Sequence, residues 1–129
     1  MKQIYGLIIR KEWLDKILSG EKTWELRTAN TYHRGLVFLI ESGSGLIRGY
    51  THIQDSIRLN ESLYTWNRDK HCVDKSFADC HWTSYAWVLS DTHRLSEDYT
   101  YIHPRGAVIW VKLNSDIVPK FDKMMKEVA

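Results

Sequence analysis

The chain has 129 residues, 43% of them hydrophobic and 26% charged, with a formal net charge of +2; that length suits one domain spanning 1–129 and is short for two. No apolar run approaches the roughly 18 residues of a membrane span, no leader pattern opens the chain, and two cysteines are too few for a disulfide scaffold, so a reduced, cytoplasmic protein is expected. So small a charge excludes nucleic-acid recognition by bulk electrostatics alone, although residues 1–34 hold seven basic and four acidic side chains and the remaining 95 hold eleven and twelve.

Ile4 to Ile9 reads as a short apolar strand closed by Arg10. Trp13, Leu14, Ile17 and Leu18 then fall on one helical face, with Lys11, Glu12, Asp15 and Lys16 toward water. Gly20 stands where a left-handed residue ends such a helix. From Thr23 to Arg27 the period becomes two, which sets Trp24 and Leu26 on one side and Glu25 and Arg27 on the other. Leu36 to Ile53 reads as a β-hairpin around Ser42-Gly43-Ser44-Gly45, and Gly49 within its second strand predicts a bulge or a close backbone approach.

Asn60 is an N-cap candidate for a weak helix carrying Leu63, Trp66 and Tyr64, and residues 71–83 show no period and are expected to form an exposed loop. Tyr85 to Leu89 is strand-like, Leu95 to Pro104 reads as a connection, and Ala107 to Leu113 reads as the most buried strand, with Trp110 at its centre. Ile117, Phe121, Met124, Met125 and Val128 recur at helical spacing, so a C-terminal amphipathic helix over about 116–128 is expected to pack on the core.

The stretch Ile17-Leu18-Ser19-Gly20-Glu21-Lys22-Thr23-Trp24-Glu25-Leu26-Arg27, a G-x-K-T-x-E-x-R run after a helix, resembles the signature of the activating signal cointegrator homology (ASCH) family. Leu46-Ile47-Arg48-Gly49, Tyr85 to Leu89 and Pro104-Arg105-Gly106 are similar to later parts of that pattern, so the likeness spans roughly residues 4–113. It implies an α+β fold, a PUA-like β-barrel of about five to six strands with flanking helices, to which this chain adds its C-terminal helix. It also implies association with RNA, or, in one branch, hydrolysis of N4-acylated cytidines. In that branch a Lys at the position of Lys22 works with a Thr three residues on; here that residue is Glu25, and Thr23 stands at the wrong offset. Glu61 and Asp69 are candidates for the branch's helper carboxylate.

Lys22, Trp24, Glu25 and Arg27 are therefore the candidate binding residues, with Lys22 and Glu25 as the catalytic pair if the protein is an enzyme. Lysine and arginine suit phosphate, and Trp24 would stack on a base only if a bulge turned it out of the core. His71-Cys72 and Cys80-His81 supply enough ligands for zinc but not a common zinc spacing, so neither a metal nor a cofactor is expected. Three readings stay open: a module binding single-stranded RNA or a nucleotide, an enzyme acting on a modified nucleoside or RNA in the same cleft, and a protein-interaction module using the 71–83 loop with Trp82.

Overall fold

The computed structural model, which describes residues 3–80 and 84–113, gathers the apolar runs into one mixed sheet. Ile4–Ile9 (β1) leads into the helix Lys11–Leu18 (α1), followed by the strands Trp24–Arg27 (β2), Gly35–Glu41 (β3) and Leu46–Arg58 (β4). Two short helices, Glu61–Thr65 (α2) and Arg68–His71 (α3), and a 3₁₀ turn at Phe77–Asp79 precede Tyr85–Thr100 (β5) and Trp110–Leu113 (β6). The strand order is β2-β5-β4-β3-β1-β6; β1 runs parallel to β3, and the remaining pairs are antiparallel.

Period-two alternation explains the unbroken apolar runs. Leu7 and Ile9 of β1 join Val37 and Leu39 of β3 on the face that receives Leu14 and Ile17 of α1. Ile8, Phe38 and Ile40 bury on the opposite face with Tyr50, Leu95 and Tyr99. Each strand is thus apolar on both parities because both of its faces are covered. Complete burial of Leu14 and Ile17 stabilises the helix contact by about 1.5–3 kcal/mol each. Gly20, at φ 85°, ends α1 in the left-handed backbone expected of it.

The expected barrel is not closed by its ladder: among the described residues β2 and β6 remain unpaired with each other as the two edges. The sheet is nevertheless strongly curled. A flat sheet would separate β2 from β1 by about 19 Å, four strand spacings, yet Arg27 Nη2 of β2 lies 2.8 Å from the Ile8 carbonyl of β1. Arginine, not backbone pairing, spans this gap. Part of the curl originates where β4 meets β5. Register there jumps from Ile47 opposite Tyr99 to Gly49 opposite Arg94, and bulges of this kind bend a strand and raise its twist. Gly49 is required at that point, since a Cβ would lie 2.5 Å from the His93 carbonyl and 2.5 Å from Leu18 Cδ2.

Four local expectations are corrected. Leu95–Thr100 is not a connection but the second half of β5, with Leu95 and Tyr99 buried and the polar residues between them exposed. The run 107–113 is strand only from Trp110 onward; Val108 is 75% exposed and Trp110 is half-buried, because β6 is an edge that pairs with β1 alone. In α2 the inward aromatic is Tyr64, and Trp66 is 83% exposed. The segment after it is an exposed loop only in part: residues 74–76, 78 and 79 are exposed, but His71, Val73 and Cys80 are buried. The expected C-terminal helix, together with His81 and Trp82, lies outside the described residues. Among those described, no helix is long and apolar enough to cross a membrane.

The insert between β4 and β5 folds around Tyr64 and His71. Asn60 caps α2 by accepting from Leu63 N at 2.8 Å. Tyr64 stacks on the His71 ring at 4.3 Å, and its hydroxyl donates to the Lys75 carbonyl at 2.7 Å. Val73 N donates to His71 Nδ1 at 3.0 Å, so the ring proton resides on Nε2 and is donated to the Tyr64 carbonyl at 2.7 Å. The cluster closes over Trp24, Leu26 and Ala86 on the outer side of β2 and β5.

Two outcomes follow from this packing. Gly49→Ala is expected to lower stability by about 1–3 kcal/mol through overpacking against β5 and α1, measured by urea denaturation. Burial holds the His71 pKa below its ordinary value, so the unfolded chain takes up a proton that the folded chain resists. Stability is then complete above about 6.5 and falls as pH drops from there toward the folded-state pKa. Thermal denaturation should show a steeper loss on acidification for the wild type than for His71→Gln.

Candidate functional site

Between the C-terminal end of β1, the start of α1 and strand β2 lies a cleft of about 660 Å³. Its lining includes Lys22, Glu25 and Arg27, which the alternation of β2 and the turn after Gly20 bring to one side. Trp24 and Leu26 pack into the cluster with Tyr64 and Val73, of which Leu26 and Val73 also border the cleft. Trp24 is 5% exposed, and Lys70 Nζ sits 5.3 Å from its ring centroid. No bulge turns it outward, and it does not line the cleft.

Glu25 is the hub of the charged set. Its Oε2 accepts from Arg27 Nη2 at 2.9 Å and from Arg27 Nε at 3.2 Å. Its Oε1 lies 3.8 Å from Lys22 Nζ, an ion pair longer than a hydrogen bond. Among the described residues Oε1 accepts no hydrogen bond, and Glu25 is one of the residues that line the cleft.

Lys22 is held more completely than a surface lysine. Its side chain is 1% exposed, Nζ donates to the His71 carbonyl at 2.5 Å, and the ammonium lies 4.9 Å from the Trp13 ring centroid. Thr23 N donates to the Lys70 carbonyl at 2.9 Å, tying the same turn to the insert. Burial holds the Lys22 pKa below its usual range, and the Glu25 carboxylate opposes that shift. Arg27, besides its bidentate hold on Glu25 and its bond to Ile8, lies 5.5 Å from the Trp87 ring centroid.

Neither Lys22 nor Arg27 is therefore a free cation. The free ones came from segments that sequence reasoning passed over: Arg10, read as a strand stop, and Lys75, in the segment read as a loop. Both line the cleft, both are exposed, and neither side chain has a hydrogen bond or ion pair among the described residues. Glu12, Trp13 and Ser42 also line it and were equally unsuspected, since their pattern says only which side of an element they occupy. Of the suggested helpers, Glu61 and Asp69 are exposed on the insert and do not line the cleft; nor does Thr23.

Of the residues raised for zinc, His71 and Cys80 have other partners. Both His71 ring nitrogens bond backbone groups, and Cys80 Sγ lies 3.1 Å from the Tyr64 hydroxyl. Among the described residues no group of three or more His, Cys, Asp or Glu is placed to hold a metal ion.

Comparison with known proteins agrees with the fold. No curated protein matches the chain by sequence. Among solved structures, the chain is similar to an ASCH protein of Zymomonas mobilis, with a TM-score of 0.69 and 13% identity over 93% of this chain and 94% of that one. Two single-residue mutants of that protein give TM-scores of 0.67 and 0.64, at 13% and 14% identity, over 95% and 92% of this chain and 99% and 94% of theirs. At such identity the likeness concerns the fold alone. The ASCH domain model matches residues 7–105, which contain all of the cleft-lining segments except Val108; this chain belongs to the ASCH domain family.

Proposed function

We propose that the chain is a PUA-like module that binds RNA or a nucleotide in this cleft, with Lys22, Glu25 and Arg27 as its floor. The observation that carries the reading is the Glu25 carboxylate. One of its oxygens is pinned by Arg27 and the other, 3.8 Å from the Lys22 ammonium, accepts no hydrogen bond among the described residues, in a cavity with four basic and two acidic lining residues. An open acceptor in a largely desolvated site selects a ligand carrying an N–H group. The cavity volume also falls within the range of small-ligand sites, about 300–1,000 Å³. Trp13, not Trp24, is the aromatic available to a base here.

Single-stranded RNA binding, followed by fluorescence anisotropy, is expected to weaken by about 1–3 kcal/mol for Glu25→Gln and for Lys22→Met, with circular dichroism unchanged. Unaltered affinity in both folded variants would remove RNA from the cleft.

A second reading, catalysis at the same place, is favoured by the depressed Lys22 pKa beside a carboxylate, an arrangement suited to acid/base work. Because no Thr23 hydroxyl lines the cleft, hydrolysis of N4-acetylcytidine is expected to be slow or absent when followed by chromatography. Rapid turnover that disappears in Glu25→Gln would make the enzymatic reading the primary one.

A further inference from the structure

The charges of the cleft are not equivalent, and their pairing orients a ligand. Arg27 commits Nε and Nη2 to Glu25 and the Ile8 carbonyl, which leaves only Nη1 without a hydrogen bond among the described residues, and Lys22 directs its ammonium at the His71 carbonyl, Glu25 and the Trp13 ring. A phosphate placed among them would have to share Arg27 with a carboxylate and sit beside that carboxylate in a region of low dielectric, where like charges repel strongly. The floor therefore disfavours phosphate. Arg10 and Lys75 offer the opposite conditions, being exposed and without ion pairs among the described residues. They arrive from separate parts of the chain, one before α1 and the other after α3. A phosphate between them keeps part of its hydration while gaining two charge-assisted contacts.

We infer that the cleft holds a nucleotide base inward and phosphate outward, with Arg10 and Lys75 as its phosphate-binding residues and Glu25 Oε1 accepting an N–H from the Watson–Crick edge of the base. The inference rests on the nucleotide-binding reading above and names the orientation and the class of ligand. A base whose edge is used in this way is unpaired. Glu12, the remaining cleft charge with no ion pair among the described residues, opposes a run of phosphates. The site thus suits a single phosphate, as in a nucleoside monophosphate or one link of an RNA strand, over a triphosphate tail.

Isothermal titration with uridine, uridine 5′-monophosphate, uridine 5′-triphosphate and 3-methyluridine 5′-monophosphate, repeated with the guanosine series and 1-methylguanosine 5′-monophosphate, tests the assignment. In the wild type the monophosphate should bind about ten- to a hundredfold tighter than its nucleoside, the triphosphate should gain nothing further, and the edge-methylated nucleotide should lose most of its affinity. Arg10→Gln with Lys75→Gln should bring monophosphate and nucleoside to the same affinity. Glu25→Gln should weaken both and keep the ratio between them. A phosphate gain that survives the double substitution but vanishes in Lys22→Met, or edge methylation without effect, overturns the orientation while leaving nucleotide binding in place. Absence of binding by every nucleotide and by single-stranded RNA overturns the nucleotide-binding reading itself. Because Arg10 and Lys75 are exposed, the double variant should fold, with circular dichroism as the check.

Discussion

Much of this molecule depends on one guanidinium. Arg27 stands on a four-residue edge strand, yet it reaches the backbone of β1 and holds Glu25 with two further donors. Without it, a curled sheet whose edges are not laddered together would lose the side-chain link between β2 and β1. The Glu25 carboxylate would keep only the longer Lys22 ion pair while remaining largely buried. Removing one partner of a buried, hydrogen-bonded charge pair is strongly destabilising, because the other is left uncompensated. Lysine in place of Arg27 could not substitute, since it lacks the planar fork that meets a carboxylate oxygen and a carbonyl at once.

The insert between β4 and β5 supports the other half of the charged set. Lys22 reaches into it for the His71 carbonyl, and His71 is itself fixed by Tyr64 and Val73. The Tyr64 hydroxyl extends this order to Lys75 and Cys80. Lys75 lines the cleft and has no partner among the described residues, so the segment that steadies the floor also carries part of the mouth. Histidine suits this place as a neutral ring with one acceptor and one donor, each satisfied by a backbone group. It contributes packing and hydrogen bonds here.

Curvature links these two halves. Gly49 lets β5 and α1 approach β4 closely, and toward the other end of β5 the pairing of Trp87 with Glu25 brings the indole to the Arg27 guanidinium. Trp87 also stacks on Trp110 at 5.6 Å and donates from its indole nitrogen to the Ala29 carbonyl at 3.0 Å. The aromatic wealth of the chain is thus largely structural. Trp13, by contrast, lines the cleft with the Lys22 ammonium above its ring.

Local chemistry alone made several features legible. The change from a 3.6 to a 2.0 period at Gly20 located the helix, its stop and β2, and it put Glu25 and Arg27 on the face opposite Trp24, because side-chain direction in a strand is decided by parity. The combination of that motif with later strand signals was specific enough to indicate the family. Burial and pairing were not legible in the same way. Ala107 to Leu113 reads as core, but Val108 is exposed since β6 lies at an edge, and strand rank within a sheet is a property of topology. Lys22 and Arg27 read as phosphate ligands, whereas the fold brings the His71 and Ile8 carbonyls, distant in the chain, to occupy them. Sequence by itself determined which charges share a face; tertiary structure alone decided which of them are neutralised and that Arg10 and Lys75 have no partner among the described residues, because pairing depends on distances between segments that no local period encodes.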